Sequence, residues 1–340
     1  MNLPKLVTLI KKLPEQAKSA LYEVLYSMVK KSSNNISDYI KEIREQRFAI
    51  KPHCPHCGSP HIVGYGNYRG RQRYMCKDCG KTYNDLSASP LAGTHYPEKW
   101  AEFIELMLQG AVLRQVAEEL DIHISTAFYW RHKVLNALNA FVPGSLAGIV
   151  ESDEKFFLES NKGRNQVRRF GKRAARQRGG KASLRGISHE QVCVIVAIDR
   201  NGEIISKTAG RGRVNAKAIA AAIGSYIPED SIICTDAAKN YTLFAKAAGL
   251  KHYKVNGSKR QYVIDKVYHI QHVNSYHSRM EDWINRHFKG VATKYMDRYL
   301  AWQRFIELHR GFDKVALKKD LLTMIFKPDC VSTVAMLRMT

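Results

Sequence analysis

Leu21, Val24, Leu25 and Met28 recur at helical spacing until SerSerAsnAsn at 32–35 breaks the run, and a second short helix follows over 37–46. Residues 1–48 therefore read as a helical arm. Across 49–86 the period shortens, and Ile62–Tyr68 and Gln72–Met75 read as two strands joined by ArgGly at 69–70. Helical spacing returns over 95–140. Ala101, Ile104 and Leu108 share one face of a first helix, and Val116, Ala117 and Leu120 share one face of the next. A turn at Asp121–Ile122 leads to a third helix with Phe128 and Trp130, for which Ser125 is the expected cap. The last two have the layout of a helix-turn-helix, with Asp121 where glycine is usual.

After PheValProGlySerLeuAlaGly at 141–148 the pattern alternates between strands and helices. The first strand places Ile149, Glu151, Asp153 and Lys155 on one face and Val150 and Phe156 on the other. Two more strands, 191–200 and 203–209, turn at ArgAsnGly 200–202. A helix over Asn215–Tyr226 precedes the apolar run Ile232, Ile233, Cys234, which is too short for a helix and ends on Thr235 and Asp236. A helix over Ala237–Ala248, a strand over His252–Val255 and further helices complete 148–312, and 313–340 is a helical tail. Three strands, helix, strand, helix, strand, helix is an α/β order.

Charge changes the picture more than composition does. The chain has 340 residues and a formal net charge of +23, with a pI near 9.7. An excess that large calls for a polyanionic partner, nucleic acid first. No long apolar span is present, and Met1–Gln16 lacks the core of a signal peptide, so neither a membrane nor secretion is expected and a cytoplasmic protein is. The odd count of seven cysteines argues against a disulfide framework, and Cys193, Cys234 and Cys330 read as buried thiols.

The other four cysteines carry chemistry. Cys54 and Cys57 form one C-x2-C knuckle, Cys76 and Cys79 the other, each followed by glycine. Two knuckles about twenty residues apart let four thiolates close a tetrahedron around one Zn2+. That set is complete, so His53, His56 and His61 are not expected ligands. Arg69, Arg71 and Arg73 give this zinc ribbon a basic surface for phosphates, and Thr126, Tyr129, Arg131, His132 and Lys133 would face a major groove from the third helix. A basic insertion, 160–189, contains Arg168, Arg169, Lys172, Arg173, Arg176 and Arg178 and has no Asp or Glu between Lys162 and Arg185. It suits a DNA backbone.

Two acidic positions stand out. Asp153 lies within an apolar strand, where a carboxylate is costly unless paired or metal-bound, and Glu151 competes with it from the same face. Asp236 ends a strand, where α/β sheets gather their chemistry, although a plain helix cap is the bland alternative.

With the ribbon and ESDEKFFLES at 151–160, the stretch YHIQHVNSYHSRMEDWINRHFKGVATKYMDRYLAW at 268–302 resembles the zinc-ribbon insertion-sequence transposases of the family numbered fifteen ninety-five, in its histidine-containing subgroup. The resemblance implies a ribonuclease H-like catalytic domain preceded by the helical segment, ribbon and helix-turn-helix. It carries the catalytic roles onto Asp153, Asp236 and His277, with Asn274 beside His277 in N-x-x-H. His277 stands where most relatives have glutamate. Glu281 shares its helix face, and geometry alone leaves both open as third ligand. Arg279 is a candidate phosphate grip, with a surface salt bridge as the equal alternative.

The implied activity is cleavage at the element's terminal inverted repeats and strand transfer into target DNA, with two Mg2+ or Mn2+ and a dimer or higher homo-oligomer at the nucleoid. A nuclease without joining activity, or a DNA-binding regulator with a non-catalytic second domain, are the competing readings.

Overall fold

A computed structural model describes residues 13–21, 24, 53–141, 144–162, 181–325 and 332–339. Most of the expected arm over 1–48, and Arg168, Arg169, Lys172, Arg173, Arg176 and Arg178, lie outside the described residues. Two compact units divide the chain, one of residues 1–87 and 91–107, the other of 88–90 and 108–340.

The first unit holds a three-stranded antiparallel sheet, β1 (Ile62–Tyr68), β2 (Arg71–Cys76) and β3 (Thr82–Asn84). Tyr68 pairs with Arg71, so Arg69 and Gly70 alone make the turn, at φ 51° and 73°. Positive φ at both central positions matches the strand twist, which is why a residue pair ending in glycine closes the hairpin. Helix α1 (Trp100–Leu108) follows, with Trp100, Phe103, Ile104 and Met107 buried at helical spacing.

The second unit begins with α2 (Leu113–Glu119) and α3 (Ile124–Ala140). Asp121 takes the left-handed backbone (φ 46°) that glycine usually supplies between two such helices. His123, not Ser125, caps α3, because its Nδ1 accepts from the Ser125 amide at 3.2 Å.

Five strands build the main sheet: β4 (Ile149–Leu158), β5 (Gln191–Asp199), β6 (Ile204–Arg211), β7 (Ile232–Asp236) and β8 (Lys251–Val255). Their spatial order is β6-β5-β4-β7-β8. The first three pair antiparallel, whereas β7 and β8 run parallel to β4. That order and those directions are the ribonuclease H-like sheet. Helices α4 (Ala216–Ile223) and α5 (Lys239–Ala247) make the crossovers between the parallel strands.

Alternation along β4 decides what each face of the sheet does. Val150 packs into a dry core with Ile195, Ile219, Ile223, Ile233, Tyr241 and Phe244, each such side chain contributing about 1.5–3 kcal/mol. Ser152 and Glu154, on the same face, bond to Tyr241 and Asn240 of α5. Glu151, Asp153 and Lys155 point the other way, each reaching α6 (Gln271–Glu281). Farther along, α7 (Met296–Leu308) is anchored by Asp297, which accepts from the Thr208 amide and hydroxyl at 2.8 and 2.7 Å. α8 (Lys314–Ile325) and α9 (Val334–Met339) follow. Cys193 and Cys234 are buried as expected.

Candidate active site and zinc site

β4 and β7 run parallel with Ile149 opposite Ile232 and Glu151 opposite Cys234. Two residues farther in that register, Asp153 comes level with Asp236, the last residue of β7. His277 approaches Asp153 from α6, its Nδ1 standing 3.7 Å from Asp153 Oδ2, but the donor atoms of Asp153, Asp236 and His277 do not all come within 4.8 Å of one another. Burial pushes the Asp153 carboxyl up to about 7, and the Asp236 charge adds to the rise. Burial, with the Lys155 ammonium second, brings His277 down to about 4. His277 is therefore a neutral imidazole at physiological pH, and its buried Nε2 has no hydrogen-bond partner among the described residues. Two carboxylates that repel each other beside a neutral imidazole form a donor set suited to a divalent cation. Two donors each about 2.1 Å from one ion stand about 3–4 Å apart, and 3.7 Å lies in that range. Asp236 also plays the plainer part, since its Oδ1 accepts from the Ala238 amide at 3.0 Å.

Glu151 does not compete for that site, contrary to the sequence expectation. It is 1% exposed, and its Oε2 accepts from the His272 and Val273 amides at 2.8 and 3.2 Å. Those are first-turn N–H groups of α6, which have no carbonyl partner in their own helix, and Ile270 at the cap position supplies none. A sheet carboxylate thus caps the helix that carries His277. Arg200 Nη1 lies 2.6 Å from Glu151 Oε1, and also 3.1 Å from His269 Nε2 and 2.7 Å from His272 Nδ1. Donor atoms of Glu151, His269 and His272 fall within 4.8 Å of one another, a spacing open to a metal. A guanidinium already occupies their midst, so the group acts as a clamp on α6.

Sequence reasoning missed Arg200, His269 and His272. The only signal was the pair of histidines three apart at the start of α6, His269 before it and His272 in its first turn, with no way to foresee a partner on β4. Glu151→Ala would take away the carboxylate partner of Arg200 and leave two helix amides unmet, at an expected cost of about 1–3 kcal/mol. Urea denaturation measures the loss, and amide hydrogen exchange at His272 and Val273 locates it. Unchanged protection there would show that the clamp does not hold α6.

The other three accessory residues are engaged elsewhere or exposed. Arg279 Nε donates to both carboxylate oxygens of Glu307 on α7 at 2.9 and 3.0 Å, and Nη1 donates to Ser275. Its guanidinium is engaged in an intramolecular ion pair, the salt-bridge alternative and not the phosphate grip. Glu281 accepts from Lys155 Nζ at 2.6 Å and is 49% exposed on its side chain. Asn274 is exposed, one turn before His277.

In the first unit the four cysteines converge. Cys54 and Cys79 sulfurs stand 3.7 Å apart, and Cys57 and Cys76 sulfurs 3.6 Å apart. Four thiolates about 2.3 Å from one Zn2+ would have sulfurs about 3.8 Å apart, so the residues fit the ion. Backbone N–H groups of Cys79 and Asp78 lower the Cys76 thiol, while burial and the neighbouring thiols raise that of Cys57 beside it, so the two share their ionisation and only one readily becomes a thiolate without an ion. His61 pairs with Asp78 instead of joining the cluster. On the hairpin, Arg69 stacks on exposed Tyr68 and Arg73 on exposed Tyr65, with centroid distances of 5.3 and 5.5 Å. Arg71 is paired with Asp85.

The third helix is a core element, and this corrects part of its expected groove-reading face. Arg131 is 1% exposed. It donates to the Ala111 carbonyl and lies over the Phe288 and Trp302 rings at 5.8 and 5.4 Å. His132 and Lys133 are buried too, and burial brings the His132 ring down to about 3. Thr126 and Tyr129 are half-buried. α3 packs against α2, α7, α8 and α9, so these side chains cannot enter a groove without unpacking the unit.

The family model of the ISXO2-like transposase domain matches residues 145–307, and that of the transposase zinc-ribbon domain matches 31–82. An uncharacterized protein in transposable element ISH50, from Halobacterium salinarum, is 30% identical over 283 residues, covering 80% of this chain and 91% of that protein. The chain belongs to the ISXO2-like transposases. It is a transposase of the insertion-sequence type, with a ribbon and a ribonuclease H-like domain. Among solved structures, a pre-cleavage Mos1 transpososome is 12% identical, covering 69% of this chain and 79% of that one at a TM-score of 0.21. The Mos1 strand transfer complex is 13% identical, covering 61% and 75%, also at 0.21. At that score neither adds to the argument, and the fold of this transposase rests on its own strand order. No helix among its described residues is long and apolar enough to cross a membrane.

Proposed function

We propose that this ISXO2-like transposase cuts DNA at the terminal inverted repeats of its element and joins the freed ends to target DNA, with Asp153, Asp236 and His277 holding two Mg2+ or Mn2+ ions. The carrying observation is the approach of His277 to Asp153 at the register position level with Asp236, inside the matched transposase domain. When bound, such ions activate an attacking oxygen and stabilise the leaving oxygen of a phosphodiester. The chain's own residues prepare the site. Asp153 and Asp236 supply hard oxygen donors, burial keeps His277 neutral, and Glu151 with Arg200 fixes the helix on which His277 rides. In this reading residues 49–86 are the zinc ribbon and 148–312 the catalytic domain, with a structural Zn2+ in the ribbon. The hairpin cations Arg69 and Arg73 and the insertion at 160–189 follow the DNA backbone. The assembly is a homo-dimer or higher oligomer working at the nucleoid.

The test is a cleavage and joining assay, with either ion, on duplexes copied from the DNA that flanks the gene. Cleaved ends and joined products are expected. Cleavage without joining would leave a nuclease, and binding without cleavage would leave a regulator. Neutralising Arg69 and Arg73 together should flatten the slope of log affinity against log salt by about two. An unchanged slope would place the hairpin away from DNA.

A further inference from the structure

β8 ends at Val255, level with Asp236 in the parallel register between β7 and β8. From there the chain leaves the sheet at Asn256 and returns to α6 after Tyr268, so this loop borders the proposed active site. It is built as two closed turns. Asn256 and Gln261 exchange backbone hydrogen bonds at 3.1 and 3.0 Å, and the Asn256 side chain also accepts from the Lys259 amide. Ile264 and Tyr268 exchange theirs at 2.8 and 2.9 Å. Tyr268 stacks on Tyr253 of β8, the ring centroids 3.6 Å apart, which ties the loop back to the sheet.

Arg260, Asp265 and Lys266 all hold left-handed backbone, at φ 56°, 49° and 58°. Side chains with a Cβ disfavour that region, and such strain gathers where a structure holds a ligand. A loop with no binding duty could use glycine at these turns. Instead the strained frame displays apolar surface. Tyr262 is 60% exposed, Val267 47% and Val263 38%. A Cβ built on Gly257 would stand 3.9 Å from the Tyr262 ring, so the ring lies along the first turn and is not folded into the core. Lys259, Arg260 and Lys266 are exposed around it, with Asp265 the acidic residue among them.

The charges select the occupant. A second copy of this chain carries the same +23, and its matching loop would set cation against cation. DNA offers both complements, phosphates for the cations and a base for the ring. A base inside a duplex hides its faces, so a ring at a cutting site can stack only on one that has left the helix.

We infer that Tyr262 is the stacking platform for an unpaired nucleobase in the DNA strand that lies at Asp153 and Asp236. The inference deepens the transposase reading and rests on it. Lys259, Arg260 and Lys266 hold the adjoining phosphates, while Val263 and Val267 cover the edge of the base.

The experiment uses the full chain with Ca2+ in place of the catalytic ion. It compares a blunt duplex with a forked duplex of the same sequence that carries 2-aminopurine in its short unpaired tail. The wild-type protein should bind the fork more tightly and change the 2-aminopurine fluorescence on binding. Tyr262→Ala should weaken fork binding about 5- to 150-fold and remove the fluorescence change, leaving blunt-duplex affinity alone. Tyr262→Phe should keep both, because the ring and not the hydroxyl stacks. A Tyr262→Ala protein that retains the fork preference, or one that loses affinity equally for both duplexes, overturns the platform, as does a wild-type protein with no fork preference. If the wild-type protein binds neither DNA, the transposase reading itself falls and this inference falls with it.

Discussion

Asp236→Asn should reduce DNA cleavage by about a thousandfold or more while leaving DNA affinity nearly unchanged, and Asp153→Asn should do the same. Each removes a hard anionic oxygen from the proposed ion site. Metal stabilisation of transition-state charge amounts to several kcal/mol, and each 1.36 kcal/mol is a factor of about ten in rate. The third position gives the sharper comparison. His277 is buried and faces Asp153, whereas Glu281 is half-exposed and held by Lys155. His277→Ala should therefore approach the aspartate variants, and Glu281→Ala should keep most of its activity with either Mg2+ or Mn2+. A dead Glu281→Ala beside an active His277→Ala would reverse the ligand assignment.

The pH profile of these variants carries a sign. From its ordinary pKa, His277 would stop binding an ion below roughly 6.5. Burial brings it down to about 4, so the neutral, ligating form persists through that range. Asp153, pushed up to about 7, must shed its proton to accept a cation, so Mn2+ affinity should fall as pH drops through about 7. For one proton the fall is at most about tenfold per pH unit. Calorimetric titration at pH 8 and pH 6 measures it. A midpoint near 6.5 that vanishes in His277→Ala would assign the limb to the histidine instead.

The second large effect belongs to the ribbon. Cys57→Ser should abolish stoichiometric zinc binding and unfold the three-stranded sheet with it. Among the described residues, the core of that sheet is small: Cys54, Cys76 and Tyr83 are its buried members, with Ile62, Tyr74 and Cys79 packed against them. So few apolar contacts cannot offset the conformational entropy of the strands, whereas a structural zinc site contributes about 10–16 kcal/mol in small zinc domains. Zinc content by mass spectrometry under native conditions, together with DNA affinity, reads the result. Both should drop together. Full zinc occupancy in the variant would sink the assignment, and zinc loss with unchanged DNA affinity would separate the ribbon from DNA binding.

Much of the fold was legible in the sequence. β4, β5, β7 and β8 lie within a residue or two of the runs expected from short apolar stretches and alternation, because strands buried on one or both faces leave that record. The ribbon was legible for a different reason: cysteine spacing is a covalent ruler that depends little on context. The third helix shows where such reading fails. Its Arg131, His132 and Lys133 have the composition of a groove-reading face, yet burial against Phe288, Trp302 and Tyr295 comes from α7 and the segment before it, more than a hundred residues later in the chain. Polarity in sequence marks an exposed face only when no distant element covers it. Glu151 failed in the same way. Its position two residues before Asp153 gave it the right face but could not reveal that α6 would begin upon it.

The sequence by itself therefore determined the order of strands and helices, the zinc-ligand spacing, the excess positive charge and the kinship to transposases, all of which are local or summed properties. Tertiary structure alone decided which of the acids on β4 faces His277 and which one caps its helix, that Arg279 answers Glu307, and that α3 is core. Those outcomes depend on parallel register and on the docking of α6 and α7. Pairwise distances between elements far apart in the chain are set by packing as a whole and have no local signature.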